Sequence, residues 1–241
     1  MKNINTKFAA IMLAFAVVLG VAAAPASAQS RKGDGARVRT PLNFAVLIQD
    51  DLVPRVGNEI KTTAEFIRGL PEGSQVMVAY IRTGSLQVRQ PFTADLESAA
   101  KALRVPVGST AAAPYNPYVE VREALKLFPE GGTNRNTLLL ISDGLDVSRG
   151  FDYASSVKSL DLERAVREAK RRNVAIYSFY APSAGLTSWN RNAVTLGQSA
   201  LARISDETGG RAFFQGTSFV TFDSYFERLS RALNEREGVG Y

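Results

Sequence analysis

The chain of 241 residues has no cysteine and no histidine, and only one tryptophan. Without cysteine there is no disulfide framework and no residue for lipoprotein-type lipid attachment. Without histidine, the commonest general base and the commonest metal ligand are both missing. Beyond the first 28 residues no apolar run is long enough to cross a membrane, and no segment repeats another. Acid is also in the minority, with 23 Asp and Glu against 29 Lys and Arg.

What is present begins with a basic, then apolar, start. Lys2 and Lys7 precede the nearly unbroken apolar stretch Phe8 to Ala24, and Ala26-Ser27-Ala28 closes it with small residues. This is the pattern of a signal peptide over 1–28, cleaved after Ala28, and it predicts a periplasmic or secreted protein with no membrane span after processing. The alternative is an uncleaved anchor, because the run is near the lower limit of about 17 residues for a span. Pro25 and the small-residue site favour processing. Removing 1–28 takes away two lysines and no acid, so the net charge falls from +6 to +4. Residues 29–41, with Arg31, Lys32, Arg37 and Arg39 spaced by glycines, read as a flexible basic leader rather than a nucleic-acid arm. The rest, 42–234, is at the upper end for one domain, and 235–241 is a tail. An exported domain without disulfides needs a core large enough to hold the fold unaided.

From Leu42 onward, strand-like apolar runs alternate with segments of helical period. Leu42–Ile48, Ser74–Ile81, Asn136–Ser142 and Asn173–Tyr180 are mostly apolar, Leu42–Ile48 nearly continuously so, as parallel strands covered on both faces are. Thr83-Gly84 marks a hairpin into SLQVRQPF, whose alternation and Pro91 predict an antiparallel edge strand with Leu86 and Val88 inward and Gln87 and Arg89 in water. Helices are expected over 56–70, over a short stretch capped by Thr93, and over 119–128, 161–172 and 195–208, with a last one carrying Phe222, Phe226, Leu229 and Leu233. Residues 105–118 form a long loop with three prolines, and RAFFQ a short final strand. The expected fold is α/β: a doubly wound, mostly parallel six-stranded sheet with one antiparallel edge strand and helices on both faces. With strand order 3-2-1-4-5-6, the order reverses between the strands that end at Asp50 and Asp143, and ligands bind at such a reversal.

The strand ending in Asp50-Asp51-Leu52, the LLLISDG strand end at Leu138–Gly144, NVAIYSFY, and SDETGGRAFF at Ser205–Phe214 occur here in that order. On these features the chain resembles the von Willebrand factor type A (VWFA) domain family, over about Leu42 to Asn234, and within it the exported bacterial VWFA-related proteins. The resemblance implies a Rossmann-like fold and a protein-binding or adhesion-type role. It also implies a place for a metal-ion-dependent adhesion site: an Asp-x-Ser-x-Ser loop after the first strand, a later Thr, and an Asp after the fourth strand. Of these, only Asp50 and Asp143 match. Leu52 and Pro54 stand where the serines belong, and Val119 stands near the Thr position. Mg²⁺ needs near-octahedral oxygen ligation, so the implied site is degenerate, with no cofactor or a weakly bound Mg²⁺; Asp51 and Asp146 could contribute oxygens.

Other residues at this end carry two readings each. Asp50 and Asp51 either retain a cation or accept backbone N–H groups. Trp189 is either an exposed anchor or the cover of a core edge. Tyr115 and Tyr118, with Asp51 and Asp146, are either partner contacts or loop packing. The leading expectation is a non-catalytic exported module that binds a protein or surface polymer, with no nucleic acid and an open oligomeric state. Its rivals are a Mg²⁺-dependent hydrolase-like enzyme of the phosphoryl-transfer kind and a structural envelope assembly scaffold. The enzyme lacks a phosphate-binding lysine in YSFYAPSAG.

Overall fold

A computed structural model of the chain describes residues 37–114, 116–150, 159–214 and 221–235. The expected signal peptide, most of the leader, Tyr115 and the tail beyond Glu235 lie outside the described residues.

The mostly apolar runs become strands because both faces of the sheet are covered. β1 (Leu42–Gln49) is buried along its whole length. It pairs in parallel with β2 (Gln75–Arg82) on one side and β4 (Arg135–Ser142) on the other. β5 (Val174–Tyr180) and the two-residue β6 (Ala212–Phe213) extend the sheet in parallel beyond β4. β3 (Ser85–Thr93) pairs antiparallel with β2, giving the order β3-β2-β1-β4-β5-β6. Thr83 and Gly84 both have positive φ, 49° and 67°, which is the two-residue hairpin turn that matches strand twist.

Alternate β1 residues serve two separate cores. Phe44, Val46 and Ile48 join the core under α1 (Val56–Arg68), α2 (Leu96–Lys101) and α6 (Phe222–Glu235), whereas Ala45 and Leu47 join the core under α3 (Pro117–Leu125), α4 (Leu160–Arg171) and α5 (Arg191–Glu207). The α6 stripe Phe222, Phe226, Leu229 and Leu233 is wholly buried, as its spacing predicts. Phe179 of β5 meets Phe222, Tyr225 and Phe226 at ring distances of 5.3, 5.2 and 4.9 Å.

Several local expectations are corrected. Asp95, not Thr93, caps α2, accepting from the Ser98 N–H at 2.9 Å. α3 starts two residues early, because the Asn116 side chain accepts the Tyr118 N–H and Pro117 fits the first turn. α5 starts at Arg191, capped by Asn190. Val88 does not point into a covered core: it is 39% exposed. The β2–β3 register slips between the Val78–Gln90 and Ala79–Val88 pairs, a bulge that puts one extra residue, Arg89, on the edge strand. Leu86 and Phe92, at either end of β3, make the contacts with the core instead.

Candidate functional site

β1 and β4 end side by side, and their last residues are polar because the next residues leave the sheet. Three loops are stitched together there by backbone hydrogen bonds. The Asp50 carbonyl accepts from Gly108 N–H, the Asp51 carbonyl accepts from Ala184 N–H at 2.8 Å, and Val53 N–H donates to Pro182. Leu52 bridges to Ser183 and its side chain is fully buried in the core, so it faces away from the crevice.

Asp50 and Asp51 part company at this point. The fully buried Asp50 carboxylate receives both Nη atoms of Arg104, at 2.6 and 2.8 Å, and the Val107 N–H at 3.2 Å. Arg82 adds a second cation, with Nε 3.7 Å from Asp50. Arg104 is itself held firmly. Its guanidinium lies 4.1 Å over the Tyr80 ring, and the Tyr80 hydroxyl donates to its carbonyl and accepts from its N–H. Bidentate pairing with a fixed fork geometry is the strong form of this interaction.

Asp51 turns toward β4 instead. It accepts from Gln49 Nε2 at 2.7 Å, while Gln49 Oε1 accepts from the Ser142 hydroxyl and the Asp143 N–H. Burial, and after it the neighbouring Asp143 charge, raises the Asp51 carboxyl to about 7. Burial likewise raises Asp143, which accepts from the Leu145 N–H and the Thr187 hydroxyl, each at 3.1 Å. Asp146 is a loop organiser: it accepts from the Ser148 N–H and hydroxyl, and from the hydroxyl of Ser159, which caps α4.

The floor of the crevice is rigid for a steric reason. Gly144 has φ 72°, and a Cβ there would lie 2.4 Å from the Gly197 carbonyl oxygen. A Cβ on Gly197 would lie 2.0 Å from that of Asp143. Two glycines thus let the end of β4 and the side of α5 touch backbone to backbone.

The structure brings Asp50, Asp51 and Asp143 to the same strand ends. Tyr118 is fully buried, its hydroxyl donating to the Gly144 carbonyl at 2.7 Å, and Asp51 and Asp146 are buried too. A partner resting on the rim would not reach these three. Trp189, by contrast, is 73% exposed at the end of the 3₁₀ turn Leu186–Ser188. Reasoning from sequence missed Arg104, Arg82, Gln49 and Thr187. Arg104 lies 54 positions from Asp50, and nothing in LRVPV marks it as that residue's partner.

No protein-family profile matches the sequence, and no curated sequence matches it. Solved structures do match the fold. An aerotolerance-related membrane protein from Bacteroides fragilis superposes with TM-score 0.56 at 10% identity, covering 80% of this chain and 99% of that one. BatB from Bacteroides thetaiotaomicron gives TM-score 0.54 at 12% identity, covering 82% and 100%. The SpRpn10 VWA domain gives 0.50 at 16% identity, covering 84% and 100%. With the strand order described above, this chain has a VWA-type, Rossmann-like fold.

Proposed function

We propose that this VWA-type domain is an exported, non-catalytic binding module, which engages a protein or surface polymer through the loops at the carboxyl ends of its strands and does so without a tightly held cation. The observation that carries the reading is the Asp50–Arg104 pair. A carboxylate that already receives two guanidinium hydrogen bonds and a backbone N–H has little left to offer Mg²⁺. Leu52 is turned into the core, Pro54 has no ligating side-chain atom, and Val119 has no hydroxyl, so the side chains at the three hydroxyl positions supply nothing to the implied octahedral shell. VWA-type domains serve in general as interaction modules, which supports the class of function. The exposed Trp189 supports the place. Export rests on the basic-apolar-small pattern of residues 1–28.

The test is recovery of partners from envelope and secreted fractions by the chain purified from an exporting host, with Mg²⁺ and with a chelator. The expected result is a partner retained equally in both and lost on Trp189→Ala. Binding that needs Mg²⁺, or turnover of a phosphate ester abolished by Asp50→Ala, would overturn the reading.

A further inference from the structure

We infer that the two guanidiniums over Asp50, with Val105 and Val107 beside them, receive an acidic side chain of the partner, an Asp or Glu next to an apolar residue; this rests on the loop face being the binding surface. Asp50 brings one negative charge and is fully buried, while Arg104 and Arg82 bring two positive charges and reach water, with side chains 27% and 43% exposed. One positive charge is therefore left over at the rim. Arg104 spends its Nη atoms on Asp50 and the Val105 carbonyl, leaving its Nε–H without a partner among the described residues. Arg82 makes one long approach to Asp50 and no side-chain hydrogen bond there. Donors of a planar fork, already oriented by Tyr80 and Asp50, match a carboxylate and need little reordering to bind it.

Among the described residues, the carboxylates at these strand ends do not offset that charge at the rim. Asp51, Asp143 and Asp146 point inward and are buried. Arg55 and Arg191 are exposed at the starts of α1 and α5, where a helix's positive end disfavours a cation, and α5 has no acid in its first turn. These charges work against local helix stability and add to the attraction for an anion. The apolar part of the occupant is set by Val105 and Val107. Both are exposed, and both are tied to the same pair, Val105 through its carbonyl to Arg104 and Val107 through its N–H to Asp50.

The experiment is selection from a random phage-displayed peptide library on the full chain purified from an exporting host. Selection is repeated on Arg82→Gln and Arg104→Gln. Selected peptides are expected to be enriched in Asp and Glu over the starting library, and the enrichment to fall on both variants. One synthesised peptide should lose about tenfold in affinity when its acid becomes an amide, and about as much on Arg82→Gln, with binding that weakens as salt rises. Arg104→Gln leaves Asp50 buried without its main partner and can fail to fold; Arg82→Gln, nearly half in water, keeps the test open. Neutral or basic selected peptides, acid enrichment indifferent to Arg82→Gln, or no selected peptide at all would each overturn the inference. Neutral peptides lost on Trp189→Ala would overturn it while leaving the loop-face reading in place.

Discussion

Asp50 and Asp51 are adjacent in sequence and face opposite sides of the crevice, so their substitution should behave differently. Asp50→Ala strands the Arg104 guanidinium, and Arg104→Gln strands a buried carboxylate. Each should cost about 3 kcal/mol, the usual loss on breaking a buried pair from one side. The double variant should cost clearly less than the two together. A double-mutant cycle in urea checks this, with additive losses counting against the pair. Asp51 has a raised folded pKa, so between about 4 and 7 the folded state holds a proton that the unfolded chain has released. Stability from this group is therefore greatest in acid and declines as pH climbs toward 7. Asp51→Asn, which cannot ionise, should stabilise the chain at pH 8 by an amount on the order of 1 kcal/mol or more, and the gain should shrink toward pH 5. Urea midpoints across that range measure it; a destabilised Asn variant at pH 8 would mean that the charge is needed there.

The elements were largely legible because strands covered on both faces read as mostly apolar runs, and β1, β2, β4 and β5 are such strands. Helix starts were less so: Asn116 and Asn190 are ordinary capping residues, but each stands outside the apolar stripe that marks its helix. The inward placement of Val88 failed because alternation assigns a face and not a cover. Val88→Asp should accordingly change stability by less than about 0.5 kcal/mol, whereas Leu86→Asp, packed on the core, should cost more than about 1 kcal/mol. The site was legible at its carboxylates and at the exposed Trp189. Asp50 and Asp143 end apolar runs, but which cation meets Asp50 depends on how the 102–109 loop folds back, and spacing does not encode that. A further test at this scale is Gly197→Ala. Its methyl would press on the Asp143 carbonyl, and a loss of about 1–3 kcal/mol is expected, as for overpacking.

At the scale of the molecule, the proposed reading puts an internal ion pair where a metal would sit, and it predicts stability independent of divalent ions. Melting temperature should be unchanged, within error, by Mg²⁺ or by a chelator, because only an ion bound well above its dissociation constant stabilises measurably. A chelator-sensitive transition, abolished in both Asp50→Ala and Asp143→Ala, would restore the cation. Intact mass of the exported protein checks the other whole-chain expectation, a mature start at Gln29.

If the crevice holds no cation, as proposed, the grip on Arg104 also bears on the order in which substitutions would turn it into a cation site. Placing serines at Leu52 and Pro54 and a threonine at Val119 first would gain nothing, since Asp50 is still engaged and Leu52 would leave a hole in the core. Removing Arg104 first would leave the buried Asp50 charge without its main partner until a cation could be held there. Each route therefore begins with a loss of stability. The guanidinium acts as a latch on the sequence itself: a designer would have to exchange the arginine and the ligand set together, in one step.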